Sequence, residues 1–208
     1  MPQPNSPVGV ERRHFSLDKI KIEKRADGEG APLMTGHAAV FNQTTDTNDY
    51  WGFVEKINPG AFTETIASGD ARALWNHNSD YVLGRKSAGT LRLAEDDIGL
   101  AIEIDTPPTT WANDLSISMQ RGDIREMSFG FIVKETVWEE VDGVWVRTIL
   151  KAELIEVSPV TFPAYTGTDI SARTQEEFRS AKARVAPGDK PTPTSVLLMQ
   201  LDCEAAGI

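Results

Sequence analysis

The sequence predicts an α+β fold that is mainly β, in which the strands form a closed or nearly closed barrel with a few surrounding helices. Two observations carry this prediction: many apolar segments have β character, several alternating with a period of two, and turn residues separate them. The 208 residues, 40% of them hydrophobic, allow one sizeable core. We expect a flexible N-terminal arm at 1–12, a single domain at 13–172 and a removable C-terminal tail, not needed by that domain, at 173–208.

Segments of β character define the predicted domain. The arm contains Pro, Asn and Ser without periodicity, so we expect it to be flexible and order to begin near Phe15. The turns Asp27-Gly28, Asp97-Ile98-Gly99 and Asp142-Gly143 would join neighbouring strands. Strands are predicted around 20–22 and at 33–41, 53–57, 71–76, 91–95, 100–105, 126–133, 136–141, 144–150 and 153–160.

Two helices are predicted between the strands. Asn58 can cap a helix that starts at Pro59 and ends near residue 69. Between 109 and 121 large apolar side chains recur every four residues, and Gly122 follows where a helix C′ glycine is favoured. In the tail, the capping box of Thr174 and Glu177 predicts a charged helix to about residue 185, and the proline-rich segment 187–194 then interrupts regular structure.

Composition excludes several classes of function. The chain has 31 acidic and 21 basic residues, a net charge of −10, which argues against a nucleic-acid-binding surface. Its single cysteine, Cys203, allows neither an intrachain disulfide nor a thiolate zinc site. We find no apolar segment typical of a signal peptide or a membrane span, and no clustered metal ligands, so we expect no membrane association and no cofactor.

Histidine is the side chain most suited to act as a base near neutral pH, and the chain has three. His14 lies beside the predicted arm and His37 lies in a strand of small residues, so a structural or solvated role is the better interpretation for both. His77 differs because it follows a predicted strand, within Asn76-His77-Asn78, where a chain passes from core to loop. Loop histidines are common, so His77 alone does not establish catalysis.

Ser128 is the candidate nucleophile. In the strand at 126–133, Met127, Phe129 and Phe131 share one apolar face, so Ser128 and Gly130 point to the other. We expect this arrangement to leave an exposed hydroxyl with room for a substrate. The alternative is an ordinary strand serine beside a packing glycine.

Glu153 and Glu156 are the candidate orienting acids in the strand at 153–160. They are three residues apart, so an extended strand places them on opposite faces and only one can meet the face that carries Ser128. A carboxylate bonded to histidine fixes its tautomer and stabilises the imidazolium. The alternative is that both are solvated strand charges.

Several motifs, in order along the chain, resemble the HK97-type phage prohead proteases, which are capsid maturation serine proteases related in fold to the herpesvirus assemblins. The resemblance covers about residues 33–172. The segments that carry it are GHAAVF at 36–41, EKINPGAF at 55–62, Asn76-His77, LGR at 83–85, Gly99-Leu100, MSFGF at 127–131 and EVSPVTFPA at 156–164.

The resemblance implies a β-barrel serine endopeptidase with Ser128 as nucleophile and His77 as base. The assemblins use a second histidine as third member, and this chain has none after His77. In the assemblins that member lies about 25 residues beyond the serine and five before a small residue. Glu153 lies 25 residues after Ser128 and five before Ser158, so we predict Glu153 in this role, with Glu156 as the alternative.

The resemblance also implies substrates and a location. These are the scaffold protein, the major capsid protein and the chain itself, cleaved inside the prohead in the host cytoplasm, with dimerisation as in the assemblins. The competing hypotheses are an inactive scaffold or capsid-assembly protein with the same barrel and, less favoured, a small-molecule esterase. An α/β-hydrolase esterase is disfavoured because the sequence has no G-x-S-x-G motif.

Overall fold

The computed structural model describes residues 9–16, 21–23, 32–44, 51–162 and 172–184. The chain divides into two compact units, 1–171 and 172–208. The strands are β1 Glu11–Ser16, β2 Lys21–Glu23, β3 Leu33–Val40, β4 Phe53–Ile57, β5 Arg72–Trp75, β6 Asn78–Arg85, β7 Leu91–Glu95, β8 Gly99–Asp105, β9 Glu126–Val141 and β10 Val144–Val160. The helices are α1 Thr63–Ser68, α2 Thr110–Arg121 and α3 Ala172–Arg184. The predicted mainly β fold is confirmed.

The strands form two sheets. The first has the order β1-β9-β10-β5-β6, with β4 also paired to β10, and the second has the order β2-β3-β8-β7. β4 and β5 run parallel to β10, and the other pairs are antiparallel. Within the described ranges these sheets do not close into the barrel that the sequence predicts.

One hydrophobic core joins side chains from both sheets and from α2. The alternating side chains Met127, Phe129, Phe131 and Val133 of β9 are all buried in it, as their period of two predicts. The other face of β9 is therefore the one that carries Ser128 and Gly130.

β9 and β10 are the longest strands, with 16 and 17 residues. They are continuous through segments that the sequence divides into shorter strands. The Asp142-Gly143 hairpin is confirmed, with φ values of 51° and 82°. Near its C-terminal end β10 contains a bulge: Leu154 pairs with Phe131 and Glu156 with Gly130, so the residue between them has no partner in the ladder.

The helices agree in part with those predicted from the sequence. α2 ends at the predicted position, since Gly122 has φ 82° and its N–H donates to the carbonyl of Met119. α1 begins at Thr63 rather than Pro59, because residues 58–62 form turns and the Asn58 side chain donates to the Pro59 carbonyl instead of capping a helix. None of the described helices is long and apolar enough to cross a membrane.

Two strands differ from those predicted from the sequence. β1 begins at Glu11, inside the segment expected to be a flexible arm, and β6 was not predicted. The tail helix is present as α3. The Asp27-Gly28 turn, the proline-rich segment 187–194 and Cys203 lie outside the described residues.

Candidate active site

His77 lies in the two-residue turn between β5 and β6, where Trp75 pairs with Asn78. Asn76 and His77 have φ values of 52° and 58°, as a type I′ hairpin turn requires at both central positions. Asn and His tolerate this left-handed region better than most residues. The Asn76 N–H donates to the carbonyl of Pro159 at 3.0 Å, and the N–H of Thr161 donates to the Asn76 side chain at 2.8 Å. The end of β10 therefore holds the turn in place.

The imidazole of His77 bonds to Glu156. Nδ1 of His77 lies 2.6 Å from Oε1 of Glu156, and the two side chains are only 13% and 6% exposed. β5 pairs with β10 beside this contact, with Arg72 opposite Glu156. With the carboxylate ionised, Nδ1 carries the shared proton, and Nε2 of neutral His77 is then the basic nitrogen.

Ser158 bonds both partners of this pair. Its Oγ donates to Oε2 of Glu156 at 2.5 Å and accepts from the backbone N–H of His77 at 3.3 Å. Its side chain is completely buried. Ser158 also lies directly opposite Ser128 in the ladder between β10 and β9, which places their Cβ atoms about 5 Å apart.

Gly130 leaves the space that the Glu156 carboxylate fills. A Cβ at this position would lie 2.6 Å from Oε1 of Glu156, closer than such contacts occur, and 3.3 Å from Cγ1 of Val10. The glycine of the MSFGF segment is thus matched to the carboxylate opposite it.

Glu153 lies apart from His77. Its carboxylate pairs with Lys134 at 2.6 Å, and both side chains are about half exposed. The expected opposite placement of Glu153 and Glu156 is wrong. Because the bulge inserts one residue, Glu153 pairs with Ile132 and Glu156 with Gly130, so both carboxylates stand on the same face, with the Leu154–Phe131 pair between them. The structure brings Glu156 to His77 and does not bring Glu153.

Ser128 is on the predicted face but is not exposed. Its side chain has 0% exposure, and its Oγ donates to the carbonyl of Arg13 at 3.0 Å. The expectation of an open hydroxyl fails because β1 lies against β9 here, with His14 opposite Ser128. Within the described part of the chain, the buried Nε2 of His77 has no hydrogen-bond partner.

The other two histidines lie in different settings. His14 belongs to β1, and its register places it beside Ser128 rather than in a flexible arm. Nε2 of His37 lies 2.8 Å from Oδ2 of Asp96 at the surface. The hydrogen bond from the N–H of Gly99, together with those from His37 and Ile98, holds the pKa of Asp96 below its usual value.

A buried cluster of four charged side chains joins β1 to β4 and β10, and it was not predicted from the sequence. Glu11 and Arg13 come from β1, Glu55 from β4 and Arg147 from β10, and each is at most 2% exposed. The available signal was that Glu11 and Arg13 alternate at a period of two, and that Glu55 shares its strand face with the apolar Phe53 and Ile57. Among the described residues, no group of three or more His, Cys, Asp or Glu side chains is placed to hold a metal ion.

Comparison with known proteins identifies what the chain resembles. Residues 18–182 match the family model described as caudovirus prohead serine protease. The chain is 31% identical over 162 residues to the prohead protease of Enterobacteria phage HK97, a match that covers 76% of this chain and 67% of that protein. No solved structure matches significantly.

Proposed function

Because the chain belongs to the caudovirus prohead serine protease family and is a serine protease, we propose that it cleaves scaffold and capsid proteins, and itself, within the phage prohead. The observation that carries this proposal is the 2.6 Å contact of His77 with Glu156, on the sheet face that Ser128 shares. Its location in the host cytoplasm, its dimerisation and a relation in fold to the assemblins are parts of the same proposal.

We assign three roles to side chains of this site. The Oγ of Ser128 attacks the peptide carbonyl as its proton passes to Nε2 of His77. The C–N bond then breaks, and His77 returns the proton to the leaving amine. Water attacks the acyl-enzyme in the second half of the reaction, with His77 again as base. Glu156 orients His77 and stabilises its imidazolium form.

Glu156 replaces Glu153 in this proposal on three grounds. Glu156 contacts Nδ1 of His77, its carboxylate is nearly buried, and Ser158 fixes its second oxygen. Glu153, half exposed beside Lys134, has no such contact with His77. The orienting acid of a triad requires direct contact with the histidine.

A non-catalytic assembly protein is the competing function. The buried His77 and Glu156 pair disfavours it, because a protein without chemistry gains little from holding a histidine in a left-handed turn against a buried carboxylate.

Incubation of purified wild type and of Ser128→Ala, followed by intact-mass spectrometry, distinguishes the two functions. We expect self-cleavage products from the wild type alone, and a fluorophosphonate adduct mapped to the peptide that contains Ser128. Identical, uncut masses for both proteins, with no cleavage of added capsid or scaffold protein and no adduct on Ser128 even in variants that uncover its buried hydroxyl, would favour the assembly role.

A further inference from the structure

β1 occupies the edge of β9 beside Ser128. The two strands pair antiparallel from Glu11 opposite Phe131 to Ser16 opposite Glu126. The carbonyl of Arg13 accepts the hydrogen bond of the Ser128 hydroxyl at 3.0 Å. In this arrangement the proton that should pass to His77 is held by a backbone carbonyl, and Ser128 is inaccessible.

A peptide substrate would need the same edge. Extended peptides commonly bind a sheet by adding a strand to its edge, where main-chain hydrogen bonds give affinity. β1 makes this type of contact and places the peptide unit between Arg13 and His14 next to Ser128. It thus has the position of a peptide segment held across the nucleophile.

β1 is anchored by the charge cluster of Glu11, Arg13, Glu55 and Arg147. Nε of Arg13 lies 2.7 Å from Glu55, and Nη1 of Arg147 lies 3.0 Å from Glu11, so two ion pairs join β1 to β4 and β10. One further pair lies within each side: Arg13 to Glu11 at 2.8 Å within β1, and Arg147 to Glu55 at 2.8 Å between β10 and β4.

The composition of the charge cluster allows β1 to separate from the sheet without leaving an unpaired charge buried in the protein. Within the cluster, β1 contributes Glu11 and Arg13, and β4 with β10 contributes Glu55 and Arg147, so each half of the cluster is neutral and keeps its own ion pair after separation. Leaving a lone charge in the interior would be strongly unfavourable. The charge cluster therefore holds β1 in one position without preventing its separation from the sheet.

The face of β1 opposite the charge cluster lies beside the proposed catalytic triad. Nε of Arg12 lies 3.9 Å from Oε1 of Glu156, the oxygen that His77 uses. A guanidinium there competes with the imidazolium for the carboxylate. β1 also lies before residue 18, where the match to the protease family model begins.

We propose that the β9 edge at Ser128 is the binding site for extended peptide substrates and that β1, held by the charge cluster, occupies it as an internal inhibitor. This inference rests on the proposed role of Ser128. Displacement of β1 frees the hydroxyl for His77 and opens the edge to a substrate strand.

The test uses full-length variants that disrupt the charge cluster. Arg13→Glu leaves three acids with one base, and Glu11→Lys leaves three bases with one acid, so either variant should release β1. Arg179→Glu and Glu176→Lys are the matched controls, since both side chains are about 70% exposed in α3. Hydrogen exchange at 11–16 reports release, and the rate of fluorophosphonate labelling at Ser128 reports access.

We expect exchange protection at 11–16 to fall in both disrupted variants, with labelling of Ser128 about tenfold faster or more and the controls unchanged. A synthetic peptide of sequence 9–16 should then slow labelling of the released variants, and a scrambled peptide should not. Released β1 without faster labelling, or protection retained in both variants, would overturn the inhibitory role. Absence of labelling at Ser128 in every variant, with no cleavage, would instead overturn the proposed function.

Discussion

The Oγ of Ser158 lies 2.5 Å from Oε2 of Glu156, the carboxylate oxygen that His77 does not bond. The same hydroxyl accepts the backbone N–H of His77, so a single side chain positions both the acid and the turn that carries the base.

Ser158→Ala should lower kcat about ten- to a hundredfold with little change in KM. Loss of a buried hydrogen bond to a carboxylate allows Glu156 to move away from His77, while the β9 edge stays intact. Steady-state kinetics on a peptide substrate check this, with Ser118→Ala, on the surface of α2, as the control. An unchanged kcat in folded Ser158→Ala would remove Ser158 from the positioning of His77.

Glu156→Gln and Glu153→Gln should separate the two carboxylates. We expect Glu156→Gln to lower kcat by about 10⁴, as loss of the orienting acid does in serine proteases. Glu153→Gln should leave kcat almost unchanged and cost at most about 1 kcal/mol of stability, because its ion pair with Lys134 is half exposed. The opposite ranking would return the role to Glu153.

Gly130→Ala should reduce activity more than stability. The new methyl group would lie 2.6 Å from the Glu156 carboxylate, which must turn away from His77. Gly143→Ala is the comparison, since it strains a turn with φ 82° far along β9 and β10 without crowding another atom. Thermal melts together with kcat distinguish the two effects, and equal loss of kcat in both variants would contradict the predicted contact.

Ser128→Ala and His77→Ala should each abolish cleavage, and the double variant should be no slower than either single one. Residues that act as one catalytic unit give strongly non-additive losses. An uncut mass would show that cleavage is lost, and unchanged circular dichroism would show that each variant still folds. Near-normal turnover by His77→Ala would exclude it as the base.

A chain that ends at Arg173 should still fold and cleave a peptide substrate. α3 belongs to the second compact unit, and most of its charged side chains are exposed. A chain that ends at Arg184 is the milder comparison, because the family match extends to residue 182. Unfolding of the shorter chain alone would show that α3 is needed by the domain.

The sequence predicted the parts of the fold that depend on local periodicity and turn chemistry. The apolar face of β9, the end of α2 at Gly122 and the Asp142-Gly143 hairpin are local properties, and each is present. His77 and Ser128 are candidates on equally local grounds. His77 directly follows one predicted strand, and Ser128 lies with Gly130 on the face of another strand that carries small side chains.

The remaining features depend on tertiary pairing. A bulge changes which face a side chain occupies without a marker in the sequence, so strand parity could not place Glu153 and Glu156 on one face. The sequence of β1 is typical of a polar arm. Its charged side chains are buried only by contact with Glu55 and Arg147, which are distant along the chain. The exposure of Ser128 could not be predicted without knowing where β1 docks.

The bulge in β10 also determines how this strand tolerates a change in length. The residues on either side of Ile155 are already aligned with consecutive residues of β9, so its deletion would join two stretches without shifting either one. Deletion of Val157, by contrast, would turn Glu156 toward the core and away from His77. The number of residues between the serine and the carboxylate can therefore differ by one between relatives with the same geometry, and alignment by residue count alone is a poor guide to the acid.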